Sequence, residues 1–201
     1  MPFDAQQTLQ EARGGSEDAL GQLLESYKAY LVLMARVQIG QRLRGKVDPD
    51  DLVQEVFLEA HRQFAKFRGT TEPELTAWLR SILAGRLTMT VRRYVGAKGR
   101  DVRLERELAA RIDQSSQALE RGLAASISTP SQQASRREQA VLLAEALGRL
   151  PPDYREVIIQ HHMEGLTFTQ VGELMDRSED SIQKLWVRGL AALRRTMGGA
   201  Q

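Results

Sequence analysis

Thr167-Phe168-Thr169-Gln170-Val171-Gly172-Glu173-Leu174-Met175-Asp176-Arg177-Ser178 is the stretch on which the reading of this chain turns. Threonine with glutamine three residues on matches a capping box, in which hydroxyl and amide side chains satisfy each other's orphan backbone N–H groups. A short helix is predicted behind it, with Phe168, Val171, Leu174 and Met175 turned inward. Asp176-Arg177-Ser178 reads as a tight turn, since aspartate tolerates left-handed backbone, and Ser178 as the cap of a last helix. That helix carries Ile182, Leu185, Trp186, Gly189, Leu190 and Leu193 at helical spacing. Short helix, turn and longer helix make a helix-turn-helix candidate. The opposite face, with Ser181, Gln183, Lys184, Val187, Arg188 and Arg195, carries groups that a helix in the major groove uses on phosphates and base edges. A helical hairpin whose basic outer face binds nothing is the competing reading.

Outward from this unit the helical period continues. Ala140, Leu143, Ala144 and Leu147 keep it until Leu150-Pro151-Pro152, and Tyr154, Val157, Ile158 and His161 resume it up to Gly165. Residues 136–201 are thus predicted to form one small helical domain. Residues 96–135 differ: Gly96, Lys98, Gly99 and Arg100, then mixed charge, then Ser126, Ser128, Thr129, Pro130 and Ser131. They are read as a flexible linker with a partly helical stretch near Leu104 to Leu119, because a structureless loop of about 40 residues is unusual inside a compact domain. Residues 1–95 are predicted to hold a three-helix bundle. Its first helix is capped by Ser16 and runs to about Val37. The second starts at Asp48-Pro49-Asp50-Asp51, where cap, first-turn proline and acids suit a helix N-terminus, and carries Leu52, Val53, Val56, Phe57, Ala60 and Phe64. The third opens after Pro73 and ends near Tyr94. The fold class is therefore all-α, two small helical domains on one strap.

Composition narrows the function. The 201 residues include no cysteine, which excludes disulfides and thiolate catalysis and suits a reducing compartment. Met1 to Gln7 lacks the basic start and apolar run of a secretory signal, and the longest apolar run, Tyr30 to Val37, is interrupted by Arg36 and far below membrane length; a cytoplasmic location without membrane contact is expected. Net charge is only +2. Locally, however, Arg80, Arg86, Arg92, Arg93, Lys98, Arg100 and Arg103 stand against the single acid Asp101, a stretch that would attract phosphate unless it is merely a solvated face. His61, His161 and His162 are the only histidines, and an adjacent pair cannot share one helix face as zinc ligands do. Asp48, Asp50 and Asp51 lack the glycine and distal glutamate of a calcium loop. No catalytic residue, metal or cofactor is expected.

Two segments together resemble ECF (extracytoplasmic function) sigma factors of bacterial RNA polymerase, over about Ser16 to Met197. Asp51-Leu52-Val53-Gln54-Glu55-Val56-Phe57-Leu58 is similar to the family's D-L-x-Q-E-x-F-x segment, the helix that grips the coiled coil of the polymerase beta-prime subunit. The resemblance implies Asp51, Gln54, Glu55 and Leu58 as core-polymerase contacts; an ordinary solvated acidic face is the alternative. Phe67-Arg68-Gly69 and Trp78-Leu79-Arg80 resemble the segments around the loop that captures a flipped base of the minus-ten element, which implies Phe67, Arg68, Trp78, Arg80, Arg86 and Arg92 as DNA contacts. Trp78 could equally be core packing. The run from Ala146-Leu147-Gly148-Arg149-Leu150-Pro151 through the helix-turn-helix is similar to the domain that reads the minus-thirty-five element and meets the polymerase beta flap, with Ser181, Gln183, Lys184 and Arg188 as its DNA contacts. The chain departs from the family in a longer loop at Thr70-Thr71-Glu72-Pro73-Glu74 and in Gly85, where many members carry asparagine. Near the recognition helix it carries Gly172 for a small alanine, Asp176 for a turn glycine, and Leu185, Val187 and Leu190 where basic residues are common.

The implied function is a non-enzymatic sigma subunit that binds core RNA polymerase and directs promoter recognition and DNA melting. Its partners would be polymerase, promoter DNA and, as a regulator the family admits, an anti-sigma factor; the linker would order only on assembly. A stand-alone helix-turn-helix regulator is the rival. It leaves the Asp51–Leu58 helix and the Trp78 region without a task.

Overall fold

The computed structural model of the protein describes residues 4–43, 45–95, 102–119 and 136–198. All regular structure among them is helical, in two compact units, Met1–Asp113 and Gln114–Gln201. Among the described residues no helix is long and apolar enough to cross a membrane.

The first unit begins with a helix the sequence reading did not foresee. In α1 (Ala5–Arg13) the Asp4 carboxylate accepts the Gln7 N–H, and Thr8, Leu9 and Ala12 are buried, chiefly against α2 (Glu17–Ser26). Ser16 caps α2 by accepting the Ala19 N–H at 3.2 Å. The predicted single helix from Ser16 to Val37 is in fact broken at Tyr27, and α3 (Lys28–Leu43) follows. No glycine or proline marks the break. Tyr27 is 1% exposed and its phenol donates to Glu72 Oε1 at 2.9 Å, so a tertiary contact holds the bend. Burial, with the Glu72 carboxylate adding to it, pushes that phenol well above its ordinary pKa.

Asp48 and Pro49 start α4 (Pro49–Gln63) as expected, the Asp48 Oδ1 accepting the Asp50 N–H at 2.8 Å. A short 3-10 turn, Phe64–Lys66, leads to a loop and then to α5 (Glu72–Val95). Pro73 therefore lies inside the first turn of α5 and not before it. Thr71 and Glu74 form a reciprocal cap at this start, Glu74 Oε2 accepting from Thr71 N at 3.0 Å and Glu74 N–H pointing to Thr71 Oγ1 at 3.4 Å. α5 packs against α3 and α4 through Leu75, Leu79, Leu83 and Leu87, all fully buried. Burying such leucines is worth about 1.5–3 kcal/mol each.

Within the predicted linker, Val102–Ala118 forms α6. Leu108 and Ile112 are buried and Asp113 pairs with Arg80 at 2.8 Å, so the first unit extends beyond residue 95 and is more than a three-helix bundle. Residues 96–101 and the serine-rich 120–135 lie outside the described residues. The second unit contains α7 (Arg136–Gly148), α8 (Pro152–Ile158, prolonged by the wide turn Ile159–Met163), α9 (Phe168–Met175) and α10 (Glu179–Gly198). Gly165, at φ 72°, ends the second of these as the sequence suggests.

Candidate nucleic-acid and polymerase interfaces

On α4 the apolar residues Leu52, Val53, Val56 and Ala60 are buried, while Phe57 is only half-buried. At about 100° per residue, Asp51, Gln54, Glu55 and Leu58 fall within an arc of about 100° on the opposite side. All four are exposed, and Leu58, at 60%, is among the most exposed large apolar side chains described. Leu58 thus stands as an apolar group in water between two acids and an amide. The edge of this face is set by Arg86 of α5, which pairs closely with Glu59 and lies 4.0 Å from Glu55. The Gln63 amide, with Arg86 behind it, holds the Glu59 carboxyl below the usual carboxylate range.

Beyond the C-terminal end of α4 the chain builds an aromatic cluster. Phe67 and Trp78 have ring centroids 4.9 Å apart, and the buried Phe64 lies 5.9 and 6.1 Å from them. Phe67 and Trp78 are half-buried and Arg68 is exposed, so the cluster is rooted in the core with its upper rings at the surface. The Phe67 ring folds over Gly69: a Cβ there would sit 2.3 Å from Cζ. Glu74 Oε2 accepts from Thr70 N (2.8 Å), Thr71 N (3.0 Å) and Thr71 Oγ1 (2.8 Å), and these bonds, the Thr70 amide first, hold the Glu74 carboxyl below its ordinary pKa. The basic face expected on α5 is smaller than the sequence suggests. Arg80 is turned inward, 14% exposed, onto Asp113 and the Tyr30 hydroxyl, and Arg86 is held by Glu59 and Glu55. Arg92 is half-buried and Arg93 exposed.

In the second unit the capping box Thr167/Gln170 is present in both directions. Asp176 adopts φ 53°, ψ 50°, and Arg177 N–H returns to Gly172 O at 2.9 Å, closing the turn. The chain passes so near Gly172 that a Cβ would stand 2.7 Å from Arg177 O. Ser178 Oγ accepts the Ser181 N–H at 3.3 Å at the start of α10. Ile182, Gly189 and Leu193 are buried, whereas Leu185, Trp186 and Leu190 are half-buried; on α9, Leu174 is exposed, contrary to its predicted inward orientation. Only Val171 and Gly172 of α9 are buried, and at about 100° per residue Leu174 lies about 60° beyond Val171 on the side away from Gly172. On the outer face of α10, Gln183, Lys184, Val187 and Arg188 are exposed and Ser181 is half-buried. Lys184 pairs with Asp180 at 2.6 Å and Gln183 donates to Glu179 at 3.1 Å; both are exposed helix-surface contacts that cost little to exchange for another partner. Arg188 makes no ion pair among the described residues.

Comparison with known proteins places these two constructions in one family. The family model for Sigma-70 region 2 matches residues 27–95, and that for Sigma-70, region 4 matches residues 140–193, more than half of the chain together. The ECF RNA polymerase sigma-E factor of Haemophilus influenzae is 27% identical over 74% of this chain and 77% of its own. The ECF sigma factor SigW of Bacillus subtilis is 24% identical over 98% of each. The chain is an ECF-type sigma factor. As such it is a promoter-recognising factor for transcription initiation. Solved structures similar to this sigma factor include an RsbN-BldN complex (21% identity, 93% of this chain and 97% of that one, TM-score 0.32). CnrH in complex with the cytosolic domain of CnrY is another (22%, 98% and 100%, TM-score 0.35).

Two features of this sigma factor escaped sequence reasoning. The first is α1, although Asp4 as cap and Thr8, Leu9 and Ala12 before Gly14-Gly15 were a usable signal. The second is the aromatic nest behind α10. Trp186 Nε1–H donates to His162 Nε2 at 3.0 Å, His161 stacks on Phe168 at 4.1 Å, and His161 Nδ1 bonds Leu166 O at 2.8 Å. Partial burial, then the neighbouring His161, lowers the His162 pKa, and the Trp186 bond requires a lone pair on Nε2. His161 and His162 thus pack against Trp186 of α10. Among the described residues no group of three or more His, Asp or Glu could hold a metal ion.

Proposed function

We propose that this sigma factor docks on core RNA polymerase through Asp51, Gln54, Glu55 and Leu58 of α4, taking the beta-prime coiled coil as partner, and acts in the cytoplasm without covalent chemistry of its own. Phe67, Arg68, Trp78 and Arg92 receive the melted minus-ten strand. Unstacked bases need an aromatic surface and cations on the backbone, which the half-exposed Phe67/Trp78 pair and Arg68 supply. Arg80 and Arg86, committed to carboxylates, position α5 instead of touching DNA. Ser181, Gln183, Lys184 and Arg188 of α10 read the minus-thirty-five element, and the same unit meets the beta flap.

The observation that carries this reading is the Asp51–Leu58 face: four exposed side chains on one arc, with a leucine at its centre, on a helix whose other side is fully packed. A stand-alone regulator has no use for it. Run-off transcription with purified core polymerase on a promoter library is the test, with new start sites expected when the chain is added. Absence of any new start site, together with failure to co-purify with core polymerase in the absence of DNA, would refute the assignment.

A further inference from the structure

α1 has no task in the reading above, yet it reaches into the loop that the reading assigns to the minus-ten strand. Gln6 Nε2 donates to Thr70 O at 2.8 Å, and Gln6 Oε1 accepts the Glu72 N–H at 3.2 Å. These two backbone groups flank Thr71 and belong to no helix ladder: one is a loop carbonyl, the other an orphan N–H of the first turn of α5. A glutamine amide is a fixed donor and acceptor side by side, so it serves both at once. From its other neighbour the same segment receives the Glu74 carboxylate on Thr70 N and Thr71 N. Immediately upstream, the Phe67 ring lies over Gly69 and against Trp78. The loop from Phe67 to Glu72 is therefore pinned at three places, and one pin comes from more than 60 residues away in sequence. α1 is itself anchored by the buried Thr8, Leu9 and Ala12, and its Arg13 lines an open groove shared with His61, Phe67 and Arg68.

We propose that Gln6 is a positioning residue for capture of the melted minus-ten strand, holding the Phe67–Thr71 loop in the shape that receives an unstacked base. The inference rests on the minus-ten assignment of Phe67 and Trp78. Its logic is preorganisation: a loop fixed before DNA arrives spends none of its binding energy on ordering itself.

The test uses holoenzyme reconstituted from full-length chain and core polymerase, with 2-aminopurine in the non-template minus-ten strand reporting opening. Gln6→Ala should slow opening about five- to tenfold, the effect of losing two modest hydrogen bonds, with core affinity and helicity unchanged. It should also blunt base preference, so that replacing the captured base costs the variant less than the wild type. Loss of stability alone would not produce that. Gln7→Ala, whose side chain bonds only the neighbouring turn of α1, should behave as wild type. Unchanged opening and base preference in Gln6→Ala overturn the inference, as does an equal fall in core affinity, which would mean general unfolding. Phe67→Ala and Trp78→Ala separate it from the reading beneath it. If they open promoters normally, the minus-ten assignment fails. If they are defective while Gln6→Ala is not, only the role of Gln6 fails.

Discussion

Gly69→Ala places a methyl group where the structure has no room, and its cost can be worked out. The added Cβ would lie 2.3 Å from Phe67 Cζ, 2.7 Å from Cε2 and 2.8 Å from Glu74 Cβ, against ordinary carbon contacts of about 3.5–4.0 Å. The Phe67 ring must move by more than about 1 Å, and the Glu74 backbone, being the root of α5, cannot yield to it. Overpacking of this kind costs about 1–3 kcal/mol, and parting Phe67 from Trp78 forfeits about 0.5–1.5 kcal/mol. Alanine restricts the unfolded chain and returns about 0.4–1 kcal/mol. The net loss is about 2 kcal/mol, confined to the first unit. In a Trp186→Phe background, Trp78 fluorescence reports that unit alone, and its urea midpoint should fall by about 1 M for a slope near 1–3 kcal/mol per M. The same variant should open promoters slowly while binding core polymerase normally. A midpoint within about 0.3 M of the parent, with unaltered Trp78 emission, would show that Phe67 is not packed on Gly69, and the rigid loop would go with it.

Gln54→Ala with Glu55→Ala should weaken co-purification with core polymerase and leave helicity intact, because both side chains are exposed and neither caps the helix; normal co-purification removes them from the interface. Arg188→Ala should lower affinity for the upstream element and reduce the slope of log affinity against log salt by about one, the release of one phosphate counterion; an unchanged slope means that no phosphate is met there. The second unit should lose stability in acid. His162 has a lowered pKa when folded, so the unfolded chain binds its proton first; stability is complete above the ordinary value of 6.5 and declines as pH falls below it through the depressed one. Denaturation followed by Trp186 emission between pH 8 and 5 checks this, and a flat profile, or one unaffected by His162→Gln, contradicts the Trp186–His162 bond.

The sequence by itself determined what depends on neighbours along the chain. Caps at Ser16, Asp48 and Thr167 and the left-handed turn at Asp176 are short-range matters of hydrogen-bond geometry, and each is where the residues said it would be; of the α10 core that helical spacing predicts, Ile182, Gly189 and Leu193 are buried and Leu185, Trp186 and Leu190 half-buried. The all-α class followed from those patterns, and the family likeness from the resemblance of the Asp51–Leu58, Phe67–Gly69 and Trp78–Arg80 segments and of the helix-turn-helix run to known motifs. Tertiary structure alone decided the rest. The break at Tyr27 exists because a buried phenol reaches Glu72. The ion pairs of Arg80 and Arg86, residues of a stretch read as phosphate-attracting or merely solvated, are hidden from the sequence because their carboxylates, Asp113 and Glu59, lie 33 and 27 residues away. The place of Gln6 is not legible along the chain, because its partners are a loop carbonyl and an amide more than 60 residues distant. A charge or a polar group shows its kind in the sequence, but whether it faces water, a partner or another part of the same chain is settled only when the chain closes on itself.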